Sequence, residues 1–367
     1  MSNYQNRFNF TGTVIFPKDD SKFYTEGTKD KREYRKMMFG VKESDNNAQF
    51  VNCYGSKSDI IKTMDVDNNK IEIAWDDRAK DDVIKKVANY KKTSVNLGED
   101  FGGQQEFVTT YDAMEFIYKN LPKYKGKVTV TGQFTKSPSS KGTYFENFNF
   151  TNIYAVSDDT KNRLKLTIDT YYNRDSLDKG DFKDTKKMYL NGYILQYINK
   201  DEGSKFIPMQ FVFNASKYNM DNEKHKALFN YKMEYLDTKS KTMVHIPWEI
   251  VLLHGAEEED WDDSKLTKAQ MEQVTLGIKT VDDFKPRGKI FGNNVNEYRL
   301  FDPKLIKDFS NGLVDSGYTE RDFEDLIYVP VKNESVADVL KKSETKEEDI
   351  EKKSEDKEES VDEDDLF

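Results

Sequence analysis

The sequence predicts a mainly β chain: two tandem, small, closed β-barrels, each with an inserted helix, ahead of a disordered acidic C-terminal tail. Three observations carry that expectation. Short segments rich in β-branched and aromatic residues recur along about the first 330 residues, separated by polar or Gly-containing turns. A single amphipathic helical stretch interrupts the series in each half, and the order of elements then repeats. From Asn333 onward there is no Pro, no Gly and no aromatic residue before Phe367, and fifteen Asp or Glu stand against six Lys.

In the first half, residues 8–16 alternate. Phe8, Phe10, Val14 and Phe16 share one face and Asn9, Thr11 and Thr13 the other, the pattern of a half-buried strand. Further strands are expected at 35–41, 48–54, 70–75, 127–134 and 144–156. The helix is expected over 110–121, where Ala113, Phe116, Ile117 and Leu121 fall on one stripe. The second half opens with a strand at 187–198, whose Met188, Leu190, Ile194 and Ile198 face one way. Strands at 206–213, 226–236 and 243–253 continue the series, 266–278 reads as the helix, and Gly288 opens another strand. Lys125, Gly126, Lys127 and Val128 echo Arg287, Gly288, Lys289 and Ile290, each run following a helix and a short loop, which points to an internal duplication.

A five-stranded barrel with a helix between its third and fourth strands is the plan of the oligonucleotide-binding (OB) fold. The expected organisation is therefore two tandem OB-fold-like β-barrels over 1–157 and 187–332, with a disordered acidic tail over 333–367. Residues 158–186, containing the strand-like 164–172, either link the two or add a strand to one of them. Each half, at about 155 residues, exceeds a minimal barrel, so 81–109 and 255–265 read as inserted loops.

The charge is segregated by region. The tail carries −9 of the chain's formal net charge of −10 and leaves the body nearly neutral, so an acidic total does not exclude a nucleic-acid partner. With so few apolar residues the tail cannot offset the entropy of ordering itself. Its end is different: Asp362, Glu363, Asp364 and Asp365 run into Leu366 and Phe367, an apolar pair that needs a pocket with a basic rim on another protein. A merely solubilising tail that happens to end in Phe is the other reading. This tip resembles the C-terminal tip of single-stranded DNA-binding proteins from bacteria and phages, in which a short acidic peptide ending in Phe recruits replication and repair enzymes. The chain resembles a phage-type member of that family, most strongly over the last six residues and diffusely over the body, where no sequence motif is diagnostic. It departs from the bacterial pattern in having two domains and a short Lys/Glu linker rather than one domain and a Gly-, Gln- or Pro-rich linker. The resemblance implies a protein that coats single-stranded DNA without sequence specificity during replication, recombination or repair, and docks partner proteins on Asp362 to Phe367; because tandem domains in one chain supply what oligomers achieve by assembly, a monomer is expected. Three rivals stand beside it: a protein-interaction adaptor or virion component, an oligomeric strand-annealing mediator, and a metal-dependent nuclease.

Binding a single strand requires cations for the phosphates and exposed rings for the bases. Arg32, Tyr34, Lys36 and Met38 share one face of the second expected strand, with Lys29, Lys31 and Arg35 nearby, and either form part of such a groove or an ordinary solvated face. Tyr54, Lys127, Lys141 and Tyr144 are candidates on neighbouring elements. In the second half, Tyr189, Tyr193 and Tyr197 point away from the Met188 face, either as a stacking platform or as rings packed beneath a loop or the other domain. Lys226, Lys232, Lys289, Tyr298 and Arg299 complete the DNA-binding candidates there. Trp248 reads as core, and Trp75 as an exposed stacker or a barrel-rim plug. Trp261, among Glu257 to Asp263, would repel phosphate.

Nothing in the sequence makes a case for catalysis, and no cofactor or metal is expected. The acidic run around Trp261 is contiguous, whereas two-metal nuclease sites gather carboxylates from separate elements. His225, His245 and His254 lack metal-ligand spacing, and neither a Walker-type phosphate loop nor a dinucleotide Gly fingerprint is present. Cys53, the only cysteine, excludes a disulfide framework and a multi-cysteine zinc site. With no apolar leader and no apolar run of about eighteen residues, the expected location is the cytoplasm, that of the host cell if the chain is phage-encoded.

Overall fold

The computed structural model describes residues 6–139, 143–256, 258–259, 266–286, 290–304 and 324–328. Two compact units are distinguished: Met1–Lys136 with Glu146–Tyr328, and Ser137–Phe145 with Val329–Phe367. In the second unit the described residues form the end of a strand hairpin, where Ser139 Oγ and Thr143 Oγ1 lie 2.7 Å apart. The acidic tail and its tip lie outside the described residues.

The chain is mainly β. Its first half holds β1 (Arg7–Ile15), β2 (Tyr24–Lys29), β3 (Arg32–Ser44), β4 (Asn47–Ser56), β5 (Ile60–Met64), β6 (Lys70–Ala74), β7 (Thr93–Asn96), β8 (Gln104–Phe107), β9 (Lys127–Pro138) and β10 (Tyr144–Val156). Helices α1 (Asp20–Phe23), α2 (Asp81–Lys86) and α3 (Thr110–Asn120) lie among them. The second half holds β11 (Arg163–Tyr172), β12 (Leu177–Asp178), β13 (Lys187–Asn199), β14 (Gly203–Asn214), β15 (Val244–Gly255), β16 (Glu258–Glu259), β17 (Ile290–Phe291) and β18 (Val295–Pro303). Its helices are α4 (Phe182–Thr185), α5 (Glu223–Leu236) and α6 (Lys268–Thr275). Among the described residues one sheet takes up 14 strands; β5 and β6 form a separate hairpin, and β16 and β17 a separate two-stranded pairing.

Pairings in this sheet close on themselves twice. β1 runs antiparallel to β3 and to β9, β3 to β4, β4 meets β10 in a parallel bridge at Asn52 and Asn149, and β10 neighbours β9. The second circuit repeats that order. β11 runs antiparallel to β13 and to β15, β13 to β14, β14 meets β18 in a parallel bridge at Val212 and Arg299, and β18 returns to β15. The 158–186 stretch supplies the joint: β11 pairs with β1 from Phe10↔Leu164 to Arg7↔Thr167 while pairing with β15 of its own circuit.

Alternation explains the core. Phe8, Phe10, Met37, Phe39, Val51, Val130 and Phe150 are buried inside the first circuit, and Ala113, Met114 and Ile117 of α3 close it. Phe16, expected on the same face as Phe8 and Phe10, falls beyond β1 and is 38% exposed. Gly12 lets β1 pass from one partner strand to another: a Cβ there would sit 2.2 Å from the Lys42 carbonyl oxygen. In the second circuit Ile168, Leu190, Ile194, Phe211, Ile246 and Trp248 are buried, as the sequence led one to expect of Trp248.

Three sequence expectations are corrected. Residues 226–236 are not a strand but part of α5, because Asn222 accepts from the Lys224 and His225 backbone N–H groups and starts a run of helix-forming residues. That helix, and not 266–278, lies between the third and fourth strands of the second circuit; α6 is shorter and follows the fourth. Of the strand expected to open at Gly288, the described residues Ile290 and Phe291 pair with Glu258 and Glu259, apart from both circuits. The echo of Lys125–Val128 therefore does not mark equivalent elements, since β9 is the fourth strand of its circuit and β17 belongs to neither.

Candidate nucleic-acid interface

The hairpin of β2 and β3 turns through Asp30 and Lys31, both with positive φ (51° and 63°), the geometry of a tight two-residue turn. Beyond the turn, alternation along β3 buries Met37, Phe39 and Val41 and sends Arg32, Tyr34, Lys36 and Met38 outward. Register then sets Lys36 opposite Tyr54 of β4, and Tyr34 opposite Gly27 of β2. The Tyr34 and Tyr54 rings stack, with centroids 6.0 Å apart and planes at 25°. The Lys36 ammonium lies 5.3 Å from the Tyr34 centroid. Tyr54 is 53% exposed, and Phe50, two pairs along the same face of β4, is exposed as well. Lys29 and Arg32 are paired at the basic end of the hairpin. Arg35 points the other way: its guanidinium covers the Tyr111 ring at 3.9 Å, donates to the Tyr111 carbonyl and pairs with Glu115.

The equivalent strands of the second circuit present a different surface. Asn191 and Gln210 face outward and are hydrogen-bonded to each other at 2.9 Å. Tyr193 packs with Leu326 and Ile327 on a buried cluster of Tyr171, Leu195, Phe206 and Met243. Residues 324–328 add to β14, bridging Ile327 to Phe206 and donating the Tyr328 N–H to the Phe206 carbonyl. Of the three tyrosines expected to form a stripe, Tyr189 and Tyr193 are half-buried and Tyr197, near the strand end, is exposed.

A cavity of about 1030 Å³ opens at the seam of the two circuits. It gathers four expected residues from distant parts of the chain: Lys127, Lys232 and Arg299 line it, and Lys226 lies on the helix that walls it. Their ammonium and guanidinium groups are largely engaged. Lys127 donates to the Asp158 and Thr160 carbonyls. Lys232 is 3% exposed, donates to the Phe301 carbonyl and pairs with Asp302 at 3.0 Å. Arg299 pairs with Glu297 at 2.7 Å. Burial opposes the charge on Glu297, but Lys187 and Arg299 outweigh it and hold the carboxyl below its usual range. Tyr298 is buried, and burial first and the adjacent Glu146 carboxylate second push its hydroxyl upward. It is a packing residue and offers no ring to a ligand. No sequence pattern marked the cations that share this seam, Lys161, Arg163, Lys165 and Lys217, because they sit on the segment read as a linker and in a turn.

Tyr144 is half-buried at the start of β10, in the second unit. Lys141, Lys289, Trp261 and the tip Asp362 to Phe367 lie outside the described residues. Trp75 is half-buried with the Arg78 guanidinium over its ring at 3.9 Å. Burial pushes the Cys53 thiol up to about 12. Among the described residues no three His, Cys, Asp or Glu side chains converge as a metal site, and no helix is long and apolar enough to cross a membrane.

No protein-family model matches the chain, and no curated protein matches it. A similar solved structure is that of a deletion mutant of the single-stranded DNA-binding protein from Thermus aquaticus, with 8% identity over 70% of this chain and 89% of that one, at a TM-score of 0.31.

Proposed function

We propose that this chain binds single-stranded DNA without sequence choice along the outward face of β3 and β4, and coats exposed strands during replication, recombination or repair. One observation carries the reading. The stacked Tyr34 and Tyr54 rings, with Lys36 beside them, lie on the second and third strands of a five-strand circuit that has α3 between its third and fourth. A circuit of that order is the plan of the OB barrel, whose second and third strands carry the oligonucleotide face, and we read both circuits as such barrels in tandem.

Stacked tyrosines suit a sequence-tolerant site because every base has a π-face, each stack contributing roughly 1 to 3 kcal/mol. Lys29, Arg32 and Lys36 supply charge for the phosphates without a carboxylate among the outward residues of β3 from Arg32 to Met38. Two barrels in one chain do what oligomers achieve by assembly, so the proposed working form is a monomer that leaves DNA chemically intact in the cytoplasm. The tip Asp362 to Phe367 is proposed to dock replication and repair proteins.

The test is a titration of the full-length protein with fluorescent poly-dT and with matching duplex at two salt concentrations, with and without Mg²⁺. Tight, salt-sensitive binding to the single strand, with the DNA undegraded, is the expected result. Equal affinity for the duplex would discard the coating role.

A further inference from the structure

Phe301 is a large apolar ring left 39% exposed on β18, and three cations surround it. Lys232 lies 5.0 Å from its centroid, Arg163 5.5 Å and Lys165 6.0 Å. Lys232 and Lys165 have carboxylate partners in Asp302 and Glu249. Arg163 and its neighbour Lys161 make no ion pair among the described residues, and both line the seam cavity. The same lining holds Asn162, whose buried Oδ1 has no hydrogen-bond partner among the described residues. A stacking plane, unpaired cations and an unsatisfied acceptor are together the complement of a nucleotide: a base with a ring N–H or amine, and a phosphate.

We infer that the seam cavity is a second single-strand subsite, taking one unstacked base against Phe301 and its phosphate between Lys161 and Arg163. The inference rests on the single-strand reading above and extends it from the β3 and β4 face to the seam, whose cavity is also lined by Ser44 of β3 and Asn47 of β4.

The test uses the full chain and two dT oligomers, one of about six nucleotides, short enough for one face, and one of about thirty, long enough to span both. Phe301→Leu keeps bulk over Lys232 but removes the stacking plane. It should weaken the long oligomer about tenfold, leave the short one unchanged and leave the melting temperature near that of the parent. Lys161→Ala with Arg163→Ala should flatten the salt dependence of long-oligomer binding, by about 0.7 in the log–log slope for each phosphate no longer neutralised. Unchanged affinity and slope for the long oligomer in both variants would overturn the subsite. A Tyr34→Ala control separates the two readings: if it leaves both lengths unaffected while Phe301→Leu weakens the long one, the β3 and β4 face fails and the seam stands. dTMP is the remaining probe. Binding of dTMP that depends on Phe301, with long-oligomer affinity unchanged, would assign a free-nucleotide site and overturn the strand path.

Discussion

Gly27 shows how much of the proposed face depends on single atoms. It pairs with Tyr34 across the hairpin, and a Cβ built on it would come within 2.9 Å of the Tyr34 hydroxyl and 3.1 Å of its ring. The glycine is what lets the ring lie down beside Tyr54. Gly27→Val should therefore weaken poly-dT binding as Tyr34→Ala does, each about tenfold, which is the low end of one lost base stack. Affinity of Gly27→Val equal to the parent would show that the position of the ring is immaterial. Tyr298 belongs to the core by contrast, and its raised pKa has a signed consequence. A tyrosine held neutral in the fold contributes stability that is fully present below its unfolded value of about 10 and is lost as pH rises beyond it. Urea midpoints should fall above about pH 10, and Tyr298→Phe, which removes the bond to Glu146, should shrink that dependence. At this scale the sequence showed which residues alternate outward on β3, but it could not show which cations are already engaged. Lys232 and Lys226 read alike in the chain, and only packing buries the one and exposes the other.

At the level of elements, long strands with strict alternation were legible. β10 matches its expected bounds, β3, β4, β9 and β13 are recovered with longer ends, and β15 is recovered one residue later at its start and two later at its end. The error at α5 is instructive, since Phe229, Tyr231 and Tyr235 lent 226–236 the aromatic content of a strand. Asn222 was the missed signal, a capping residue four positions upstream of that window. Asn222→Ala should lower unfolding free energy by about 1 kcal/mol, measured by urea denaturation, because it leaves two helix N–H groups without their acceptor. No loss would mean that tertiary packing alone holds the helix. The segment at 324–328 was illegible for a different reason: its pairing with Phe206 joins residues more than a hundred positions apart, and nothing local announces it.

For the whole molecule, the segregation of charge makes the tail a candidate competitor for the basic face when DNA is absent. A chain lacking residues 333–367 should bind poly-dT more tightly than the full chain at low salt, and the two should converge as salt screens the attraction. Equal affinities at low salt would remove the autoinhibitory role from the tail. The sequence by itself determined the mainly β character, the neutral body and the acidic, Phe-ending tail, because composition and a period of two are local properties of the chain. Only the tertiary structure decided the rest: which strands close the two circuits, that β11 joins them, that Leu326 and Ile327 pack over Leu195 and Phe206, and that Phe301 meets Arg163 and Lys165 at the seam. Those are pairings between residues far apart in sequence, set by which faces must be buried together, and no local pattern records them.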